Sequence, residues 1–221
     1  MPALLVTGTD TGVGKTFVAC ALAHALRAHG RRVAVVKPVE TGVVDEPEDA
    51  LALRAAAADP APLDDVCPYR LRAPLAPAVA ARLEGVAVDP ARIAALVARR
   101  ARDADVLLVE SAGGLLVPLH GTTTFLDLAA QLRLPLLLVG ANRLGTINHC
   151  ALSARVAAAA GVVVRAFVLS QPAPTADAST ATNADVVRAL TGLPCAGVLP
   201  HRRDPASAAG DLDVGLALPD A

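Results

Sequence analysis

Short runs that are apolar almost throughout recur along this chain, and longer stretches with apolar positions at helical spacing lie between them. The runs are residues 3–7, 33–37, 106–109, 135–139, 162–169 and 196–199. Segments of that length with no polar alternation predict strands buried on both faces. Residues 17–28, about 46–58, about 90–102, 125–132, about 146–160 and about 184–191 predict helices, with Gly30 and Gly161 placed to end two of them. The alternation predicts an α/β fold of about six strands, a mainly parallel sheet covered by helices on both faces as a three-layer sandwich. No charged or Ser/Gly-rich linker divides the 221 residues, so one domain over 1–221 is expected. From Asp204 onward the chain is too rich in Ala, Gly, Asp and Pro to predict, and a loosely ordered tail over 204–221 is the expectation.

Prolines punctuate this pattern. Pro38 closes the second apolar run and makes Val39-Glu40-Thr41-Gly42 a loop at the carboxyl end of that strand. Residues 59–81 carry Pro60, Pro62, Pro68, Pro74 and Pro77, which leaves little regular structure there beyond a short helix near 77–83. Asp89-Pro90 has the form of an N-cap followed by proline at the first helical position. At the other end of that helix Arg99, Arg100 and Arg102 suit the macrodipole and require no further role.

The densest chemistry is Gly8-Thr9-Asp10-Thr11-Gly12-Val13-Gly14-Lys15-Thr16, between the first apolar run and the first helix. Strand, glycine loop and helix are the context of a phosphate-binding P-loop: glycines let several backbone N–H groups converge on phosphate oxygens, and the helix start adds its positive end. Lys15 would reach the outer phosphates, and the Thr16 hydroxyl is placed to ligate Mg²⁺. The common spacing would put a glycine at Thr9, so the displaced Gly8 makes this loop one residue longer.

Of the 20 basic residues only Lys15 and Lys37 are lysines, which leaves 18 arginines. A lysine in so arginine-rich a chain marks a place where a forked guanidinium would not serve, or else is an accident of composition. Lys37 and Thr41 stand at a strand's carboxyl end, the edge at which open α/β sheets bind ligands. Asp49 admits two readings, a helix-start acid or a carboxylate aimed at a metal. Glu110, at the end of an apolar strand and followed by Ser111-Ala112-Gly113-Gly114, sits where nucleotide-dependent enzymes hold Mg²⁺, with a capping or loop acid as the alternative. The polar loop before the helix at 146 ends in Gly145 and Thr146, whose free N–H groups offer a second anion site. Ser170-Gln171 and Pro200-His201 lie at further carboxyl edges of the sheet.

Charge and composition remove several classes. A net charge of -1 and four single-ring aromatics, Phe17, Tyr69, Phe125 and Phe167, argue against nucleic acid. Apolar runs such as 134–141 and 156–164 fall short of a bilayer span, no signal segment is evident at the start, and cytoplasmic residence is expected. Cys20, Cys67, Cys150 and Cys195 form no C-x-x-C pair and read as small buried thiols, while His24 and His29, five apart, read as surface histidines.

Taken together, the long P-loop, Lys37-Pro38-Val39 with Thr41-Gly42, Asp49-Ala50-Leu51-Ala52-Leu53, Val109-Glu110 with Ala112-Gly113-Gly114, and Leu144-Gly145-Thr146-Ile147-Asn148-His149 closely resemble the dethiobiotin synthetase family. That resemblance implies a P-loop NTPase-like fold and a homodimer that converts 7,8-diaminononanoate, CO₂ and MgATP to dethiobiotin, ADP and phosphate. It implies a carbamate on one substrate amine, phosphorylation of it by ATP to a mixed anhydride, and closure by the second amine. Lys15 is then expected to hold phosphates and Lys37 to bridge the carbamate and the moving phosphoryl group, with Thr11 and Thr41 orienting substrate. Thr16, Asp49 and Glu110 become the Mg²⁺ ligands. Nucleotide contacts are implied along Gly12, Val13, Gly14, Lys15, Thr16 and Phe17, at Asp49, and at Glu110 with Ser111, Ala112 and Gly113. Ser170, Gln171, Pro200 and His201 complete that set at the far strand ends. Gly145, Thr146, Ile147 and Asn148 would receive the substrate's distant carboxylate from the other subunit. Three positions depart from the family pattern: Gly12 where some members carry an acid, Ser111 in place of a glycine, and Ser170-Gln171 where an Asn-Asp pair often reads adenine. The competing expectation is a partitioning-type P-loop switch ATPase, which typically has an additional lysine early in the loop, where this chain has Thr9-Asp10.

Overall fold

The computed structural model describes residues 3–202 and 204–218. Its first part runs β1 (Ala3–Gly8), α1 (Lys15–Ala28), β2 (Val33–Val36), β3 (Val39–Thr41) and α2 (Glu48–Ala57). The proline-rich stretch holds α3 (Leu63–Val66), β4 (Tyr69–Leu71) and α4 (Pro77–Glu84), and α5 (Pro90–Arg100) follows with the Asp89 carboxylate accepting from Ala91 N at 2.8 Å as its N-cap. Next come β5 (Val106–Gly114), the short β6 (Pro118–His120) and β7 (Thr123–Thr124), and α6 (Phe125–Leu132). The last part is β8 (Leu136–Ala141), α7 (Thr146–Ala159), β9 (Val164–Ser170), α8 (Asn183–Thr191), β10 (Cys195–Leu199), a 3-10 helix (Pro205–Asp211) and α9 (Val214–Ala217).

The six expected apolar runs pair into one six-stranded sheet, all parallel, in the order β10-β9-β8-β1-β5-β2. Their continuous apolar character follows from the two helical layers. Leu4 and Val6 of β1 join Val33 and Val35 of β2 in a core under α1, α2 and the C-terminal helices, while Leu5, Ala34 and Val36 face α5, α6 and α7. A third cluster seats α7 and α8 on Leu138, Phe167 and Leu169. Each fully buried Leu, such as Leu4 or Leu22, contributes about 1.5–3 kcal/mol by leaving water. Strand order reverses about β1, whose neighbours β8 and β5 lead away in opposite directions, and that places the binding crevice beyond the carboxyl end of β1.

Four local expectations change. Residues 39–41 are a strand, not a loop, because Val39–Thr41 finds a parallel partner in β4, thirty residues away within the proline-rich stretch. Strand β5 continues past Glu110 to Gly114, since the glycines still pair with β1 at Gly8↔Gly114 after a register shift. The β6–β7 hairpin is too short to leave a periodic trace in the sequence. The tail from Asp204 is largely regular: the 3-10 helix packs on α1, and Ala208, Ala217 and Leu218 are buried there. Residues 219–221 lie outside the described residues.

Arg100 has a role that the helix-dipole argument does not include. Its guanidinium is 5% exposed and is held by Asp103 at 2.7 Å and by the buried carboxylate of Asp59. Asp59 in turn accepts from Val35 N at 2.9 Å and Ala61 N at 3.0 Å, tying α5 to β2 and to the turn after α2.

Candidate active site

The loop after β1 is shaped by two glycines. A Cβ on Gly8 would lie 2.8 Å from Asp10 O and 2.9 Å from Val13 Cγ2, so the chain could not fold back over itself there with any side chain. Gly14 precedes α1 with φ of 90°, and a Cβ on it would sit 2.6 Å from Ser170 Oγ. α1 has neither an acidic residue in its first turn nor a side-chain cap, which leaves its first N–H groups open toward the cleft. Lys15 lies along this opening with Nζ donating to Asp10 O at 3.2 Å. Burial pulls its ammonium below the ordinary lysine range, against the attraction of Glu110.

Lys37 leaves the end of β2 and is buried. Its Nζ donates to Glu110 Oε1 at 2.5 Å and to Asp49 Oδ2 at 2.7 Å. Burial alone would lower its pKa, but the two carboxylates outweigh it and hold Lys37 above its ordinary value. For Asp49 burial acts upward, yet the Lys37 ammonium brings its carboxyl below the usual range. Burial pushes Glu110 up while Lys37 pulls it back. Thr16 Oγ1 donates to the same Glu110 Oε1 at 2.7 Å, and Glu110 Oε2 is buried without a hydrogen-bond partner.

These groups line or back a cleft of about 340 Å³ bounded by Thr11, Gly12, Gly14 to Phe17, Lys37, Glu40, Thr41, Asp49, Ala112 and Gly113. The N-terminal set expected from the sequence therefore converges on one crevice. Val13 points instead into the core, and Ser111 hydrogen-bonds Thr7 Oγ1 at 3.0 Å on the sheet side of β5. Ser170 is buried against Gly14, while Gln171, Pro200 and His201 stand at the next strand ends and do not line this cleft. Neither do Gly145, Thr146, Ile147 and Asn148: they begin α7, and the Thr146 hydroxyl faces Cys150 Sγ at 3.8 Å. Two apolar troughs adjoin the cleft at Thr11. One is walled by Thr41, Pro74, Leu75, Pro77 and Val117, the other by Leu116, Val117, Leu152 and Val156.

Sequence reasoning missed Glu40. It is 7% exposed and accepts from Asp49 N at 3.0 Å and Ala50 N at 2.9 Å. No local pattern announces this, because its partners lie nine and ten residues on, across a turn. The walls at Pro74 and Pro77 were likewise hidden in a stretch legible only as proline-rich, and Val117 lies in the short turn between β5 and β6.

A family model described as an AAA domain matches residues 2–208. The chain is 47% identical over 217 residues to an ATP-dependent dethiobiotin synthetase of Anaeromyxobacter dehalogenans, covering 96% of each chain. It is 42% identical over 217 residues to the enzyme of that name from Aromatoleum aromaticum, covering 95% of this chain and 96% of the other. Among solved structures, the signal recognition particle receptor FtsY of Elizabethkingia anophelis superposes with a TM-score of 0.53 at 18% identity, over 96% of this chain and 61% of that one. The signal recognition particle 54 kDa protein of Aeropyrum pernix, in complex with GDP, gives 0.54 at 16% identity over 96% and 43%. A parallel sheet with a glycine loop at its switch point, a lysine at the loop's end and an acid on the neighbouring strand defines a P-loop nucleotide-binding protein. Within that class the chain belongs to the ATP-dependent dethiobiotin synthetase family.

Proposed function

We infer that this protein, working as one P-loop domain in a cytoplasmic homodimer, uses ATP to close 7,8-diaminononanoate and CO₂ into dethiobiotin, releasing ADP and phosphate. One observation carries the reading: the buried Lys37 ammonium lies between Glu110 and Asp49 in the cleft that the phosphate loop opens onto, beside Thr11 and Thr41.

The reaction asks for positioned charge more than for covalent catalysis. One amine of the diamine takes up CO₂ as a carbamate, a carbamate oxygen attacks the γ-phosphorus and ADP departs. The second amine then attacks the carbamoyl carbon and phosphate leaves. The carbamate and the transferring phosphoryl group are both anionic, so bringing them together requires cations on each side. Lys15 at the end of the loop serves the phosphates. Lys37, across the cleft, neutralises the carbamate and the phosphoryl group moving onto it. The Thr11 and Thr41 hydroxyls flank the opening to the trough of Pro74, Leu75, Pro77 and Val117, which suits the substrate's hydrocarbon chain.

The charges of the site call for Mg²⁺. Two ammonium groups, Lys15 and Lys37, stand against three carboxylates, Glu40, Asp49 and Glu110, so a triphosphate entering alone would meet a net negative site. Thr16, Asp49 and Glu110 offer hard oxygen donors, and the partnerless buried Glu110 Oε2 fits a cation's ligand. When bound, the ion would offset phosphate charge.

For the substrate's carboxylate, the N–H groups of Gly145, Ile147 and Asn148 remain the proposed receiver; that of Thr146 is instead taken by Arg143 O at 3.2 Å. They lie outside the chain's own cleft, which supports delivery from a second copy. Leu116 and Leu152 are exposed beside Thr11 and Leu144 is exposed just before α7, an apolar surface suited to that copy. No helix among the described residues is long and apolar enough to cross a membrane.

The direct test is to incubate purified protein with MgATP, bicarbonate and the diamine and to look for dethiobiotin. ATP turnover indifferent to the diamine would sink the reading and favour a switch ATPase. Two narrower results are expected. Glu110→Gln should raise the Mg²⁺ concentration needed for half-maximal turnover more than roughly tenfold, since even outer partners of metal ligands cost that much; an unchanged requirement removes Glu110 from the ligand set. Leu152→Glu should shift the protein to monomer by light scattering and abolish synthesis with nucleotide binding retained; a fully active monomer excludes the shared site.

A further inference from the structure

We propose that Glu40 is a positioning residue for the Asp49 carboxylate, and that it acts on the metal only through Asp49. The inference rests on the reading of Asp49 as a Mg²⁺ ligand given above.

Helix α2 begins without a cap of its own. Its N-cap position is Pro47, which supplies no side-chain acceptor, so the first N–H groups of the helix need a partner from elsewhere. Glu40 provides one from β3: Oε1 accepts from Asp49 N at 3.0 Å and Oε2 from Ala50 N at 2.9 Å. Both carboxylate oxygens are turned to the helix start, and the negative charge also suits the positive end of the α2 dipole. The residue whose backbone is clamped in this way is the one whose side chain reaches Lys37.

That side chain needs the support. Asp49 is 45% exposed and on the cleft side meets the Lys37 ammonium at 2.7 Å and the Thr16 hydroxyl, so its aim toward both depends on where the backbone at 48–50 is held. β3 is itself fixed by pairing with β4 and by Val39 in the core, and it carries Thr41 at the mouth of the substrate trough. A single buried carboxylate thus links the strand that presents Thr41 to the helix that presents Asp49. A ligand displaced by a loosened helix start would still be present but would meet the cation poorly, the ordinary consequence of losing an outer-shell partner.

Glu40→Gln is a nearly isosteric test. It keeps one acceptor oxygen and sets an amide NH₂ against the other backbone N–H. In the ADP complex, Mn²⁺ affinity read by electron paramagnetic resonance should fall about 10–100-fold, and the amides of Asp49 and Ala50 should exchange faster in metal-free protein. Turnover should return close to the wild-type kcat at saturating Mg²⁺, with KM for the diamine unchanged. Glu40→Asp, which keeps the charge but is one methylene short, should fall between wild type and Glu40→Gln and provides the answer if the glutamine variant folds poorly. Wild-type Mn²⁺ affinity in either folded variant overturns the proposal. So does a rise in KM for the diamine with metal affinity intact, which would make Glu40 a substrate contact. Asp49→Asn in parallel separates the two ideas: if it too leaves Mn²⁺ affinity unchanged, the ligand assignment fails and the positioning role with it, whereas a loss there alone refutes only Glu40.

Discussion

Lys37→Ala is expected to lower dethiobiotin formation by about a hundredfold or more at saturating substrates, the usual consequence of removing one preorganised charge from a reacting phosphoryl group. The expectation is large because the ammonium is buried and already oriented, 2.5 Å from Glu110 and 2.7 Å from Asp49, so no water can take over its role without reorganisation. In the role proposed for Lys37 the loss should appear in kcat, because the charge it would serve develops during transfer, whereas MgATP affinity would rest chiefly on the P-loop and should change little. Removing the ammonium also leaves Glu110 buried and without its counter-ion, so the variant should be less stable as well. A comparison of kcat at a temperature where both proteins are fully folded isolates the chemical effect. Activity within a few-fold of wild type would remove Lys37 from its assigned role.

Asp59→Ala should produce the largest change in stability, about 3–5 kcal/mol, with no direct effect on chemistry. Asp59 and Arg100 are 6% and 5% exposed. Alanine would leave the guanidinium with Asp103 alone and would deprive Val35 N and Ala61 N of their acceptor. A chain of this size should lose roughly 6–20 °C in its melting midpoint. Denaturant unfolding at constant slope is the cleaner measure. Adding Arg100→Met to Asp59→Ala should restore part of the loss, because much of it comes from stranding a buried charge. A single variant within 1 kcal/mol of wild type would show that the pair is a passive contact.

The fold was legible wherever one segment's own pattern was sufficient. A strand buried on both faces must be apolar throughout, and so all six strands of the central sheet stood out, as did the helices that amphipathic spacing and caps such as Asp89 define. β3 and β4 were not legible: each has three residues, and each is a strand only because the other is there. The same distinction divides the site. The phosphate loop is local, nine consecutive residues with their own strand and helix, and its glycines explain themselves once Ser170 is seen packed on Gly14. Asp49 was ambiguous because a helix-start acid and a metal ligand have the same sequence signature. Only its 2.7 Å contact with Lys37 gives it a place in the cleft. Arg100 looked like a dipole partner on the surface until its burial against Asp59 appeared.

By itself, then, the sequence determined the sheet, the order of its strands along the chain, the phosphate loop and, through five motifs taken together, the family. Those properties depend on residues adjacent in the chain or on a periodicity that repeats within one element. The tertiary structure alone decided which of the candidate groups meet. It placed Lys37, Glu110 and Asp49 within hydrogen-bonding reach, turned Ser111 toward Thr7, kept the start of α7 out of the chain's own cleft, and set Glu40 under the helix that carries Asp49. The physical reason is that ion pairs and backbone caps form between groups brought close by packing, and the free energy that brings them close comes from burying the apolar faces of elements far apart in the chain.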